Sequence, residues 1–260
     1  MRILVRSILA LGLALAATPA SAQVIHSLQF GVGIVLPRGF DGRESGDVLV
    51  ENLTGFEIEP GLTSALAFPD VENCFDRFNV TSRPSNCING FRTGKIFGEW
   101  NVAFGDRLEV GVGLGYHRKT VLSLYRDLYN ENGTDIEQDI RLRVIPLTGV
   151  VRFMPFGRAG DFQPYVGAGL GILNWRYSEV GEFVDFSDES IFTARYNASG
   201  NSAGPVIFGG VRAPVADVWL IGGEIRYQKA EGTIDNAEDF LSDRIDLGGW
   251  TTSFTIGLRF

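Results

Sequence analysis

The chain has 260 residues, of which 45% are hydrophobic and 33 are glycine, and its formal net charge at pH 7 is −8. This length is enough for one large all-β domain or two ordinary domains. The acidic balance argues against a protein that binds nucleic acid without regard to sequence. After residue 22 no stretch reaches about 18 consecutive apolar residues, so a membrane-spanning helix is excluded and a closed β-barrel is the remaining way to cross a bilayer.

The first 22 residues have the pattern of a secretory signal peptide. Arg2 and Arg6 precede an apolar run that ends at Ala17, and the small residues Ala20 and Ala22 stand at the cleavage positions. A transmembrane anchor is the alternative, but the run is shorter than the roughly 20 residues that a span requires. The sequence therefore predicts a signal peptide over residues 1–22 and one domain over residues 23–260.

The rest of the chain repeats one pattern, in which apolar residues alternate with glycine or polar residues, as in a β-strand with two different faces. In chain order, the stretches that show it are LQFGVGIVL, KIFGEWNVAF, LEVGVGLGYH, IRLRVIPLTGVVRFMPF, PYVGAGLGILNWRY, the two halves of PVIFGGVRAPVADVWLIGGEIRYQ, and GGWTTSFTIGLRF. They predict eight strands, with a tight turn at Gly105 and Asp106. We expect a bulge at Pro146, where the apolar residues change face, and a change of register at Trp175 and Tyr177.

The connections between these stretches alternate in length. Those near Gly105, Gly160 and Ala216 are short, whereas residues 37–91, 122–138, 185–202 and 232–246 are long and polar. Short periplasmic turns and long external loops are typical of an outer-membrane barrel. The first long connection, residues 37–91, contains stretches that could form another hairpin, so ten strands remain an alternative to eight.

The polar faces indicate which side of the strands points outward. A soluble barrel or β-sandwich, the alternative fold, shows water a face rich in Lys, Glu and Thr, whereas these faces carry many glycines and isolated charges of both signs. Such faces suit a narrow interior in which charges pair with one another. The predicted interior charges are Lys95, Glu99, Glu109, Arg212, Glu224, Arg226 and Arg259. On the apolar face, Trp250 and Phe260 are separated by roughly 23 Å of height at a tilt near 45°, close to the membrane band of about 25 Å.

Few residues could carry chemistry. After the signal peptide the only histidines are His26 and His117; Ser123 follows His117, but no His and Ser lie two apart on one strand face, as we expect of an outer-membrane lipid A deacylase. The acidic residues of the last long loop that could gather Ca²⁺ or Mg²⁺ are Asp235, Glu238, Asp239, Asp243 and Asp246. They lack EF-hand spacing, so we expect no metal site, no catalytic residue and no cofactor. Cys74 and Cys87 are an even pair in an exported chain, which predicts a disulfide.

The chain resembles the small outer-membrane β-barrel family of Gram-negative bacteria, which includes OmpA-like and OmpX-like barrels. The stretches that carry the resemblance are LQFGVGIVL, PYVGAGLGI and the terminal aromatic of FTIGLRF, and it spans nearly the whole chain after the signal peptide. It implies a location in the cell outer membrane, in contact with its lipid. It also implies periplasmic chaperones and insertion by the barrel-assembly machinery, with Phe260 as the assembly signal.

The resemblance implies little about biochemical role. The leading hypothesis is a non-enzymatic, monomeric barrel with a structural or surface-interaction role through its external loops and with no nucleic-acid partner. A narrow porin-like channel for small or hydrophobic solutes is the alternative, and an outer-membrane lipid-modifying enzyme is a third possibility.

Overall fold

The computed structural model describes residues 24–37, 47–49, 57–59, 62–63, 66–67, 91–185, 187–235, 240 and 242–260. Most of these residues are in β-strands, and no helix among them is long and apolar enough to cross a membrane. The predicted signal peptide, both cysteines and most of the first long connection lie outside the described residues.

Eight long antiparallel strands form a closed ring. Their bounds are β1 Ile25–Leu36, β2 Thr93–Phe104, β3 Leu108–Tyr129, β4 Asp135–Phe153, β5 Gln163–Val184, β6 Ile191–Pro214, β7 Trp219–Gln228 and β8 Gly249–Arg259. Each strand pairs with its neighbours in the chain, and β8 returns to pair with β1, from Ser27 opposite Arg259 to Leu36 opposite Trp250. The ring therefore has no free edge and holds eight strands rather than ten.

Five shorter strands are described outside the ring. They are Glu57–Glu59 paired with Leu62–Thr63, Leu66–Ala67 paired with the far end of β3, and Glu231–Thr233 paired with Arg244–Asp246. The first three belong to the connection between β1 and β2, and the last two belong to the connection between β7 and β8. Both connections are thus long, as the sequence predicts.

One end of the ring, the short-turn rim, carries brief connections. These are residues 105–107, 154–162 and 215–218, and beside them the backbones of His26 and Phe260 exchange hydrogen bonds of 3.0 and 2.9 Å. Gly105 has a φ of 61°, in the left-handed region that glycine adopts without steric cost, and this allows β2 and β3 to turn tightly. The predicted rim of short turns is confirmed.

On the opposite rim, two of the predicted long loops are wrong. Residues 122–138 and 185–202 are mostly strand, since β3 continues to Tyr129, β4 begins at Asp135 and β6 begins at Ile191. The tips of these hairpins are only residues 130–134 and 185–190. These segments are polar because the strands continue into water, where polar outward side chains are favoured. Their polar composition therefore resembles that of loops.

The predicted changes of face in β4 and β5 are also wrong. Residues 138–153 of β4 pair with residues 166–181 of β5 without a shift, and inward and outward side chains keep alternating through Pro146 and Trp175. From the short-turn rim upward, the inward side chains of both strands change from mainly polar to mainly apolar, while the outward side chains change from apolar to polar. Because both faces exchange character together, the sequence imitates a slip of one residue.

The barrel consists of two halves with opposite distributions of polarity. In the membrane half, next to the short-turn rim, large apolar side chains face outward and charged side chains fill the interior; Phe30 and Leu170, for example, are 57% and 69% exposed. In the upper half the interior is a hydrophobic core. Its buried members include Val121, Ile136, Ile140, Leu142, Val144, Leu173, Trp175 and Tyr177 from the strands, and Val48, Leu49, Ile234 and Ile245 from the two long connections. The long connections therefore fold into the mouth of the barrel.

Interior glycines make room for large side chains on neighbouring strands. A Cβ atom at Gly31 would overlap the Phe97 ring, and one at Gly167 would overlap the Phe208 ring. Both rings lie inside the membrane half beside charged residues. The glycines on the polar faces therefore allow aromatic rings and long charged side chains to share a narrow, densely packed interior.

Candidate functional site

Five of the seven predicted interior charges meet in one network inside the membrane half. They are Glu99 on β2, Glu109 on β3, Arg212 on β6, and Glu224 and Arg226 on β7, and none is more than 6% exposed. A sixth member, Arg152 on β4, is fully buried and is absent from the set predicted from the sequence. The network therefore connects five of the eight strands of the ring.

Arg152 lies at the centre of this network. Its Nη2 is 2.6 Å from Oε1 of Glu99 and 3.7 Å from Oε2 of Glu224, and its Nη1 is 3.0 Å from Oε2 of Glu109. The guanidinium also lies over the ring of Tyr165, 4.6 Å from the ring centre, as in a cation–π contact. One arginine thus links carboxylates from three different strands.

Arg212 connects the network to the short-turn rim. Its Nη1 and Nη2 donate to the two carboxylate oxygens of Glu109 at 3.0 and 2.5 Å, in the bidentate geometry that gives strong charge-assisted hydrogen bonds. Its Nε donates to Oε1 of Gln163 at 3.2 Å, and the Gln163 amide donates to the backbone carbonyl of Arg158 at 2.7 Å. This chain of bonds holds the connection between β4 and β5 against the interior.

Arg226 joins two carboxylates on the other side of Arg152. Its Nη2 lies 2.9 Å from Oε2 of Glu99 and 2.8 Å from Oε1 of Glu224, and its guanidinium lies 4.8 Å from the centre of the Phe208 ring. The Tyr165 hydroxyl donates to the second oxygen of Glu224 at 3.1 Å. Aromatic rings therefore pack against the guanidinium groups while the charges remain paired.

The six charges of the network cancel. Three carboxylates face three guanidinium groups, and each carboxylate lies within 4 Å of two arginines, one of which is Arg152. A buried charge is tolerated when it is paired and hydrogen-bonded, and removing one partner leaves the others uncompensated in a low-dielectric interior. The network therefore favours a single fixed arrangement of the interior.

The other two predicted charges stand apart from the network. Lys95 is buried with its Nζ 5.9 Å from the centre of the Phe97 ring, and Arg259 is partly exposed, with its Nη2 3.5 Å from Oε1 of Gln163. Within the described part of the chain, neither residue has a carboxylate oxygen within 4 Å. Lys95 and Arg259 occupy inward positions in the alternation of their strands, and the ion pairs among the described interior charges include the other five residues and Arg152.

In the part of the chain that the structure describes, no hydrogen bond joins a histidine to a serine or threonine hydroxyl. His26 stacks against Trp100 and Phe260 at centroid distances of 5.7 and 6.0 Å, at the short-turn rim. Ser123 is six residues beyond His117 on β3, about 20 Å along the strand, and its hydroxyl donates to the backbone carbonyl of Gln138 at 3.4 Å. In the described ranges there is also no group of three metal-ligating side chains.

The closed ring, the apolar outward band and the buried paired charges define a small transmembrane β-barrel. No family model and no curated protein matches the sequence. Among solved structures, the chain is similar to the outer membrane protein OprG of Pseudomonas aeruginosa, with 15% identity and a TM-score of 0.47 over 92% of this chain and 97% of that one. It is also similar to Neisserial surface protein A, with 9% identity and a TM-score of 0.41 over 90% and 95% of the two chains.

A third similar structure is the N-terminal β-barrel domain of Pseudomonas aeruginosa OprF, with 10% identity and a TM-score of 0.39 over 92% of this chain and 98% of that domain. The barrel fold that the sequence predicts is confirmed by the closed ring of strands in this chain. Because these identities and TM-scores are low, the fold itself rests on the strand pairing of this chain, and no activity is transferred from these proteins.

Proposed function

We propose that this chain is a non-enzymatic β-barrel of the cell outer membrane whose interior is closed to solutes and whose upper half acts at the cell surface. The observation that carries the proposal is the filling of the interior at two levels. Paired charges occupy the membrane half, and a hydrophobic core occupies the upper half. A paired and packed interior favours this function over a narrow channel, because ions need a continuous water-filled path and these side chains occupy the space that such a path would need.

The outward face of the membrane half supports the location. Large apolar side chains stand there in every strand of the ring, and on β8 Phe254 and Ile256 are 51% and 43% exposed. In water such a surface would be costly, whereas in lipid it is the favoured one. The short-turn rim would then face the periplasm and the long hairpins would face outside.

The length of the upper half supports a role at the surface. The β5 strand continues twelve residues beyond Ile172, the last large apolar outward residue of its membrane half, to Val184. At a tilt near 45° this extension projects roughly 28 Å from the apolar band. At the strand ends beside the hairpin tips, Tyr129, Ile191 and Phe192 are exposed, and exposed apolar side chains on a rigid support are suited to contact another molecule.

Several expectations from the sequence belong to this proposal. The barrel would be monomeric, would contact outer-membrane lipid, and would reach the membrane through periplasmic chaperones and the barrel-assembly machinery, with Phe260 in the assembly signal. Cys74 and Cys87 would form a disulfide in the connection between β1 and β2. A lipid-modifying enzyme is disfavoured because, among the described residues, neither histidine is hydrogen-bonded to a serine or threonine hydroxyl.

Current recordings in planar bilayers test the proposal. Purified full-length protein, shown to be folded by a gel mobility that changes on boiling, should insert without producing steady ion current. A variant in which Trp175 and Leu173 are both replaced by alanine removes part of the upper core and serves as a comparison for leakage. Reproducible single-channel steps from the unaltered folded protein would contradict a closed interior and favour the channel.

A further inference from the structure

Three arginines stand opposite one another on the outward faces of three neighbouring strands. Arg118 on β3 is paired in register with Arg143 on β4, and Arg143 is paired with Arg176 on β5. Opposite residues on one face of an antiparallel pair have Cβ atoms about 5 Å apart, and like charges in that position destabilise the sheet. We call these three residues the arginine row.

The positive charge of the arginine row is not balanced by the protein residues that the structure describes. None of the three side chains has a described carboxylate oxygen within 4 Å. Arg143 donates to Asn174 at 3.3 Å and Arg176 donates to Asn197 at 3.5 Å, and both partners are neutral. The Nε of Arg143 is buried and has no hydrogen-bond partner in the described part of the chain. The arginine row therefore contains an N–H donor without a described partner, and its adjacent positive charges repel one another.

The arginine row lies at the upper edge of the apolar outward band. On β3 the next outward residue below Arg118 is Tyr116, followed by Leu114, and both are exposed. These two residues also line an apolar hollow of about 490 Å³ on the outside of the barrel, together with Phe30, Val32, Ile96 and Ile256. One continuous outward surface thus offers unneutralised guanidinium groups above and a concave apolar wall below.

We propose that the arginine row binds the phosphate groups of a membrane lipid in the leaflet around the upper half, and that acyl chains of this lipid pack in the hollow beneath Arg118. This inference rests on the proposed location in the outer membrane. Guanidinium groups bind phosphate oxygens through paired N–H donors, and anionic phosphate relieves the repulsion within the row. The position at the boundary between apolar and polar outward residues selects a lipid headgroup over a soluble anion.

Native mass spectrometry of the full-length protein in detergent tests the site, with diphosphorylated lipid A as the probe. The double variant Arg118→Gln, Arg143→Gln removes two of the three guanidinium groups. The matched control, Arg107→Gln with Arg195→Gln, removes the same charge from exposed positions at the short-turn rim and high on β6. We expect the apparent affinity for the probe to fall about tenfold in the first variant and to stay within about twofold in the control.

Three further measurements make the outcome decisive. Phosphatidylcholine, whose headgroup is zwitterionic, should bind the unaltered protein and both double variants alike. Equal loss of lipid A from both variants, or no loss from either, would overturn the site. Displacement of lipid A by inorganic phosphate would show that the arginine row binds the free anion, and would overturn the assignment of a lipid as its ligand. Failure of the proposed location is seen separately, as a protein that stays soluble in water without detergent.

Discussion

Replacing Arg152 with methionine removes the cation at the centre of the network while keeping a side chain of similar length. Glu99 loses an ion pair of 2.6 Å and Glu109 loses one of 3.0 Å, and the net charge of the six-residue network changes from zero to −1. Both carboxylates stay buried, so they cannot recover the lost interaction from water. We therefore expect the variant to be clearly less stable than the unaltered protein.

The size of the effect follows from the partners that remain. Removing one member of a buried ion pair costs about 3 to 5 kcal/mol when the other member is left alone. Here Glu99 keeps Arg226 and Glu109 keeps Arg212, so we expect the lower end, about 3 kcal/mol. Adding Glu99→Gln to Arg152→Met restores neutrality, and the double variant should be more stable than Arg152→Met by about 1 to 2 kcal/mol.

The free energy of unfolding can be measured by urea titration in lipid vesicles, with tryptophan fluorescence as the signal. Arg195→Met is the matched control, because Arg195 is exposed on the outward face of β6 and should change stability by less than about 0.5 kcal/mol. If Arg152→Met were as stable as this control, the network would not hold the membrane half together. The proposed pairing would also be contradicted if the double variant lost more free energy of unfolding than the two single variants lose when their losses are added.

Other predictions follow from the two halves of the barrel. Ile256→Arg places a charge on the lipid-facing side of β8 and should cost about 2 to 4 kcal/mol or block insertion into vesicles, while Thr255→Ser, which changes an inward residue, should be nearly silent in the same refolding assay. Trp175→Ala should destabilise the upper core by about 3 to 5 kcal/mol, and hydrogen exchange should show the loss mainly above the apolar band. The purified protein should be rich in β-structure and should change gel mobility on boiling; solubility in water after signal cleavage would refute the membrane location. Thiol labelling of the unreduced, denatured protein should find both cysteines blocked.

The membrane half is the part that the sequence predicts best. There the outward solvent is lipid, and a period of two with apolar residues on one face is a local pattern that single strands display by themselves. The inward position of Glu99, Glu109 and Glu224 follows from the same alternation. Their partners do not, since an ion pair such as Arg212 with Glu109 joins residues far apart in the chain.

Arg152 and the upper half could not be predicted in the same way. Along β4 the apolar residues lie inward above Pro146 and outward below it, so a reading that assumes one environment for the whole strand requires a bulge there. That assumption assigns Arg152 to no definite face, although it is the centre of the network. The physical reason is that the surroundings of the barrel change from lipid to water along its axis, and each face reverses its polarity at the boundary.

Labelling of single cysteines along β5 tests this reversal most directly. In a background with Cys74 and Cys87 replaced by serine, a lipid-soluble reagent should label cysteines at positions 168, 170 and 172, and a water-soluble reagent should label those at 174 and 176. Positions 173 and 175, where Leu173 and Trp175 are 2% and 1% exposed, should resist both reagents. Labelling of 173 and 175 from outside, with protection of 174 and 176, would show a shift of register and would contradict the two-part barrel.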